Sequence, residues 1–576
     1  MFVALGGIAL GLRLFHLDNE SLFMDELRQV SYYPERIGRI TLLAATQQQP
    51  PLDYLIGHFI ALVSYSDFAV RLPAALFGSG SVLLIVAILL PVTNPVVAFS
   101  AGLIASLLPF NLYCSQYARP YAIAIFFMLL TLYLLDRVVS ESNGLVSRLL
   151  LLVGAATLFL YSRGHPPLLV LVTLVAILCA RLLCAPRAVG GSGRRRVGWA
   201  ILSLVAAMAL YVPMMRMVIA AGKGYVPGLA LPPSTMLARG WSAFSLRPVW
   251  EAYVTQAEPL GFLLLPLLCV APLLLFWPRW RGSFMLFCVT LLLPTAALLD
   301  AAVFALLIDV PFRPPYPIYI LPLCLILAAA AGYWLWVQAR SLKGAAALRV
   351  LGATLAIGFL ALTGRATLAF ENTQKHEDWK GLAQYLARTT GPEQLLLFDT
   401  VAPQPQWGAL FYGSPRYFRG TANLLYMRGL RAAATRLLGS HLEPVVILFE
   451  YRNIYLTPYS AYPIVPGSGA GRSEALTPIA GDPELSTRSF TGFLTVRLKT
   501  PSGQCVADTL ELLERIQRRL TQDASLVELD LSAGALALAL GRDEVAAAYL
   551  KRAVELAPQG VKVQTMDAVT AIRNSR

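Results

Sequence analysis

Eleven apolar stretches succeed one another along the chain, at about residues 1–17, 71–91, 95–112, 119–135, 148–162, 166–184, 198–220, 259–277, 284–308, 318–337 and 349–370. A helix needs about 20 largely apolar residues to cross the hydrocarbon core of a bilayer, and there every backbone polar group must bond within its own segment. Repeated stretches of this length leave one fold class, a polytopic α-helical membrane protein of about eleven transmembrane helices. Composition agrees: 57% of the 576 residues are hydrophobic and 14% charged, where soluble domains have about half and about a quarter. The first stretch has the length of a signal peptide. It lacks a basic n-region and an A-x-A-type cleavage site, and further stretches follow, so it reads as a first membrane helix.

Charge sets the topology. With residues 18–70 outside, the inside loops are 92–94, 136–147, 185–197, 278–283 and 338–348. They carry Arg137, Arg187, Arg194, Arg195, Arg196, Arg279, Arg281, Arg340 and Lys343 against Asp136 and Glu141. That satisfies the positive-inside rule, and an odd number of spans puts everything after about residue 371 outside as well. The formal charge of +14 is then topology rather than a nucleic-acid surface, and "GSGRRRVG" reads as a cytoplasmic anchor. Seven cysteines lie mostly within apolar segments, with no paired framework and no metal-ligand spacing.

Between the first two spans, "LDYLIGHFIALVSY" at 52–65 is too short to cross comfortably and reads as a helix along the interface. A second outside loop, 221–258, contains "RGWSAFSL". From residue 371 hydropathy falls. "EDWKGLAQYLART" and "RAAATRLLGSH" have helical periodicity, "LLLFDT" and "PVVILFEY" are buried-strand patterns, and "SFTGFLTVRLKT" reads as a closing strand. Strands alternating with helices indicate a C-terminal extracytoplasmic α/β domain over 371–500, with a flexible loop at "YPIVPGSGAGRSEALTPIAGDPE". The tail, 501–576, is helical. Gly534, Gly541, Ala546, Ala553 and Pro558 fall at the offsets of one tetratricopeptide-like (TPR-like) unit, but an array needs about three. A helical hairpin packed on the soluble domain and a partner-binding module both remain open.

Polar residues gather at the outer span ends: Asp25 and Glu26, "QQQPPL" at 47–52, Arg71, "SQYARPY" at 115–121, "YSRGHPP" at 161–167 and "DVPFRPPYP" at 309–317. Ionisable groups near the hydrocarbon edge are costly unless they face protein, water or a ligand. Arg71, Arg119, Arg163, His165 and Arg313 share one membrane face with two acids. The planar guanidinium fork takes two phosphate oxygens at once, so this collection points to a lipid-phosphate-linked substrate. Plainer readings stand beside it. Asp25 and Glu26 suit the first turn of an interfacial helix, and Arg71 and Arg119 stand where arginines snorkel. His165 is also what a satisfied polar side chain at a bundle end looks like. The acids could hold a divalent cation with water, but no third ligand can be named, so no metal site is assigned.

"RLFHLDNESLFMDE", "QPPLDYLIGHFI", "AVRLPAALFG", "SQYARPYAIAIFFML", "FRPPYPIYILP" and "EDWKGLAQYLA" follow an order and spacing similar to one family. The chain resembles, over about residues 1–400, the bacterial GT-C glycosyltransferases of the dolichyl-phosphate-mannose protein mannosyltransferase type (glycosyltransferase family 39-like), a group that includes the lipid A aminoarabinose transferases. The resemblance implies a GT-C-like catalytic membrane domain over 1–370 with its active site in the first outside loop. It also implies a polyprenyl-phosphate sugar donor. Matched by position, Asp25 is the catalytic aspartate and Glu26 its neighbour. Arg71 is a donor-phosphate ligand, Arg119 and Tyr121 form the "R-x-Y" of the next outside turn, and His165 resembles a histidine after span five. Gln49, in Gln49-Pro50-Pro51-Leu52, stands where many relatives have histidine. Arg313 is separated from Tyr316 by Pro314 and Pro315, where relatives often read Arg-Tyr. The implied partners are a polyprenyl-phosphate-linked sugar, a lipid, glycan or protein acceptor, and the cytoplasmic (inner) membrane, with no nucleic acid and no certain cofactor. A flippase for polyprenyl-linked glycans, or a non-catalytic anchor for the TPR-like module, are the rival readings. The flippase would show broken helices and charge near mid-membrane.

Overall fold

The computed structural model describes residues 1–22, 24–47, 49–141, 143–184, 190–221, 260–270, 284–306, 319–339, 345–372, 378–391, 393–398, 423–449, 477–490, 493–519, 526–557 and 562–574. They form two compact units: Met1–Asp18 with Tyr32–Asn372, and Asn19–Ser31 with Thr373–Arg576.

The first unit is helical. Its elements are α1 (Phe2–Leu14), then α3 (Ile37–Thr46), α4 (Leu52–Val63), α5 (Asp67–Leu89), α6 (Pro95–Leu107), α7 (Pro109–Ser115), α8 (Tyr121–Ser140), α9 (Leu145–Ser162), α10 (His165–Cys184) and α11 (Gly190–Ala221). The helices Gly261–Val270, Phe284–Leu306, Ile320–Ala339 and Ala345–Glu371 complete it. Each of the eleven apolar stretches holds helix. Among the described residues, six helices are long and apolar enough to cross a membrane: Asp67–Leu89, Tyr121–Ser140, Leu145–Ser162, His165–Leu183, Gly193–Ala221 and Ile320–Gln338. The pair α6–α7 makes a seventh if counted as one span. α5 is central, packing on α1, α6, α7 and α8. Ser66 caps it by accepting the Ala69 N–H at 3.2 Å, as Asn94 caps α6 by accepting the Val97 N–H at 2.8 Å.

Two expectations need correction. The stretch 95–112 is not one straight helix, because α6 and α7 meet at 66°. Pro109 is the reason. It disfavours the helical backbone at Leu108, which is extended at φ −64°, ψ 126°, and it has no N–H for the Ala105 carbonyl. The Asn111 amide supplies that donor at 2.6 Å, and the Thr367 hydroxyl donates to the Leu107 carbonyl. The break is therefore satisfied, as buried backbone must be. Second, Arg194–Arg196 lie in the first turns of α11 rather than in a loop. The expected short helix at 52–65 is α4, and Ile40 and Ala44 of α3 pack on its Tyr54. Gly57 makes room there, since a Cβ on it would sit 2.1 Å from the Tyr33 ring. The loop carrying "RGWSAFSL" lies outside the described residues.

The second unit holds α2 (Met24–Val30), the helix Trp379–Thr389 and a five-stranded sheet of order β2-β1-β3-β5-β4. The strands are β1 (Gln394–Phe398), β2 (Asn423–Tyr426), β3 (Glu443–Phe449), β4 (Leu485–Phe490) and β5 (Phe493–Leu498). β2, β1 and β3 are parallel, with Leu396 opposite both Leu424 and Val445. β5 runs antiparallel to β3 and β4. The expected closing strand is thus a hairpin of two strands, and β2 is an addition. Most of the Gly/Pro/Ser-rich stretch lies outside the described residues.

Leu395, Leu397, Val446, Leu448, Leu494 and Val496 pack against Leu510, Leu513 and Ile516 of the helix Cys505–Arg519, and against Leu529, Ala533 and Leu536 of Leu526–Ala539. Sheet and tail share one core. Leu526–Ala539 and Asp543–Leu556 form a hairpin in which Gly541 takes a left-handed turn at φ +71°. Gly534 permits their close approach, because a Cβ there would lie 2.7 Å from Leu550.

That hairpin contains a fully buried carboxylate, Asp530, held by both arms of the Arg552 guanidinium, whose Nη2 also donates to Gln517 Oε1 at 2.9 Å. Burial pushes the Asp530 carboxyl above the ordinary carboxylate range, while Arg552 opposes that shift. Removing one partner of a buried pair costs up to 3–5 kcal/mol. Because the Arg552 side chain is 43% exposed, Arg552→Met is expected to cost about 2 kcal/mol near neutral pH. A carboxyl whose folded pKa lies above its unfolded value binds more protons when folded, so its penalty fades as pH falls through the folded pKa. Thermal melts of the full-length protein in detergent should show the Arg552→Met deficit shrinking from pH 7.5 to pH 5. A second change, Asp530→Asn, should recover most of it.

Candidate functional site

In the first unit, the chain leaves α1 through a tight turn. His16 adopts the left-handed conformation at φ +55°, stacked on Phe15 with ring centroids 3.9 Å apart. Such a backbone persists in a non-glycine residue only when its surroundings hold it. Two side chains do. Arg71, 3% exposed near the start of α5, donates from Nη1 to the Leu17 carbonyl at 3.0 Å. Gln116 donates from Nε2 to the Leu12, Phe15 and Glu371 oxygens at 3.3, 3.1 and 3.3 Å. Arg71 is therefore no snorkelling surface arginine. It is buried, and one arm of its fork is engaged with backbone.

The remaining expected site residues stand near other helix ends, and of these Tyr121 and Arg163 meet. Arg119 lies in the non-helical link between α7 and α8, partly buried. Tyr121 opens α8 and is 5% exposed. The Arg163 guanidinium, also 5% exposed, lies over the Tyr121 ring with Cζ 4.2 Å from its centroid. His165 begins α10, half-buried. Gln49 sits before α4 with its Oε1 buried and its N–H bonded to the Ala44 carbonyl at 3.0 Å. Arg313 lies outside the described residues.

Sequence reasoning gave no role to Arg13, although it stands first in the motif "RLFHLDNESLFMDE". It is fully buried in α1, with Nη1 donating to the Ala9 carbonyl at 3.0 Å. Gly78 leaves it space: a Cβ there would approach Arg13 Nε to 3.0 Å and Ser115 Oγ to 2.1 Å. The signal was present, since a charge inside an apolar stretch is costly enough to need a reason.

The acids belong to the second unit. Glu26 in α2 is 0% exposed, while Asp25 beside it is only partly buried. Leu22, Leu27 and Val30 of the same segment are also buried. The segment is fastened to the helix Trp379–Thr389, whose Lys380 N–H donates to Ser21 Oγ at 2.8 Å. Asp378 caps that helix by accepting the Gly381 N–H at 2.8 Å. Asp378 to Gly381 thus make the helix start to which the acid-bearing segment is hydrogen-bonded. Of the two carboxylates, Asp25 is the more exposed. Among the described residues, no group of three His, Cys, Asp or Glu side chains could hold a metal ion.

Residues 48–215 match the family model of the dolichyl-phosphate-mannose-protein mannosyltransferases. The resemblance read from the sequence holds. The matched segment contains Gln49, Arg71, Arg119, Tyr121, Arg163 and His165, and stops short of Asp25 and Glu26. Among solved structures, apo ArnT from Cupriavidus metallidurans superposes with a TM-score of 0.50 at 14% identity, over 86% of this chain and 97% of that one. ArnT bound to undecaprenyl phosphate gives 0.48 over the same shares. The oligosaccharyltransferase AglB from Archaeoglobus fulgidus, in complex with an inhibitory peptide and a dolichol-phosphate, gives 0.48 at 9% identity, over 78% of this chain and 69% of that one. No curated protein matches in sequence. The fold is GT-C-like, that of a multi-pass helical membrane protein.

Proposed function

We propose that this protein is a membrane glycosyltransferase that moves a sugar from a polyprenyl-phosphate donor to a lipid, glycan or protein acceptor on the outer side of the cytoplasmic membrane. The reading is carried by one observation: the family-matched segment fixes buried guanidinium groups, Arg71 and Arg163, at helix ends. Arginine forks suit a phosphate linked to lipid.

The chemistry follows from the residue types. An acceptor hydroxyl oxygen attacks the anomeric carbon as the bond from that carbon to the phosphate oxygen breaks, inverting the centre. The hydroxyl proton passes to the Asp25 carboxylate, and the electron pair leaves with the phosphate. Phosphate leaves readily, so no strong acid is required. A positioned base contributes about 10²–10⁴-fold, and Arg71 and Arg119 offset charge growing on the departing phosphate. Buried Glu26 orients Asp25. Tyr121, His165, Gln49 and Arg313 complete the donor side.

A flippase is the second reading, favoured by the break at Leu108, since broken helices mark transporter sites. However, this break is closed by Asn111 and Thr367, whereas a transport site needs free backbone to meet cargo. Mass analysis of membrane lipids and surface glycans from cells with and without the protein tests the choice. The transferase predicts one sugar missing from one envelope component, and transfer by the purified protein in detergent. If no sugar mass disappears, or if the purified protein only moves lipid between leaflets, the transferase reading fails.

A further inference from the structure

Tyr113, Tyr117 and Tyr121 are four residues apart, the spacing of one helix face, yet no helix runs through them. α7 ends at Ser115 and α8 begins at Tyr121. The rings nevertheless stack. Centroids are 5.0 Å apart at 28° between Tyr113 and Tyr117, and 6.0 Å apart at 20° between Tyr117 and Tyr121. All three rings are buried, at 4%, 3% and 5% exposed. The column therefore bridges the non-helical link that holds Arg119. Within that link the Arg119 N–H donates to the Tyr117 carbonyl at 2.7 Å, closing a three-residue turn. Arg163, reaching in from the end of α9, lies on the Tyr121 ring at 4.2 Å.

Stacked rings resist sliding, and a guanidinium on a buried aromatic face is held more strongly than on an exposed one. With its ring occupied by Tyr117 and Arg163, Tyr121 has little freedom to turn. We propose that the tyrosine column is a rigid mount for the phosphate-binding arginines. Tyr121 is a positioning residue that works through its ring face, seating Arg163 and fixing the turn that aims Arg119. This rests on the transferase reading and changes the expected role of Tyr121, whose hydroxyl is not the group that matters.

Binding of undecaprenyl phosphate to the full-length protein in detergent tests this, with thermal melting as the folding control. Tyr121→Phe keeps the face and is expected to bind within about twofold of wild type. Tyr121→Leu and Arg163→Gln are each expected to weaken binding about tenfold. The double variant should be no weaker than either single, because both remove the same contact. A structural role alone would lower the melting temperature in step with binding, and the melts show whether it does. If Tyr121→Phe loses as much as Tyr121→Leu, the hydroxyl is the ligand and the proposal is wrong. It is equally wrong if Tyr121→Leu and Arg163→Gln bind like wild type. Should Tyr121→Leu fail to fold, Tyr121→Phe and Arg163→Gln decide between the same alternatives. If wild type itself does not bind the probe, the transferase reading goes and takes this inference with it.

Discussion

Asp25→Asn is expected to lower sugar transfer by about 10²–10⁴-fold, the share that a positioned base contributes, while the protein still inserts, folds and binds donor. The substitution is close to isosteric, but an amide cannot accept the proton that the acceptor hydroxyl must lose. Asp25 is only partly buried, so little packing depends on it and the melting temperature should hardly move. Its neighbour makes the control. Glu26 is fully buried, out of reach of an acceptor, so Glu26→Gln should lower stability as well as rate and leave more residual transfer. Single-turnover transfer by purified variants, beside their thermal melts, separates the two. Should Glu26→Gln prove the deader enzyme with a normal melt, the assignment of base and neighbour is reversed. Should Asp25→Asn and Glu26→Gln each retain more than about a tenth of the activity, neither acid is the base.

The sequence carried much of this, for identifiable reasons. Apolar stretches long enough to cross a bilayer admit few alternatives, so helix fell in all eleven places. The break at Leu108 was missed because hydropathy runs straight across it. Only the geometry of Leu108-Pro109, with Asn111 and Thr367 taking the freed carbonyls, shows it. In the second unit, β3 was plain as a run of buried residues. β4 was missed because most of it, Leu485–Arg488, fell between the expected loop and the expected closing strand, and that strand covered β5. At the site, the pair Asp25–Glu26 was conspicuous in an apolar context, but the sequence could not say which carboxylate is exposed. The fold decides it: Glu26 is fully buried and Asp25 only partly so. The tyrosine column has helical spacing without a helix, so periodicity would have placed its rings correctly for the wrong reason. Arg163 drew little weight because an arginine at a span end is ordinary until a ring is found beneath it.

Arg71 carries the second large expectation. Arg71→Gln should reduce transfer by about 10²–10³-fold, the usual cost of removing one preorganised donor from developing negative charge. The same side chain also holds the Leu17 carbonyl at 3.0 Å, and that bond steadies the turn at His16 from which the chain runs on to Asp25. Loss of rate could therefore come from the phosphate or from the turn, and Arg71→Lys divides them. A lysine ammonium can still donate to Leu17, so the melting temperature should stay near that of wild type, whereas Gln should lower it. A point charge cannot grip two phosphate oxygens while also bonding the backbone, as a planar fork can. Arg71→Lys should then fold normally yet bind undecaprenyl phosphate more weakly and transfer slowly. If lysine restores transfer fully, the turn at His16 is what Arg71 serves, and the donor phosphate must be held by other groups.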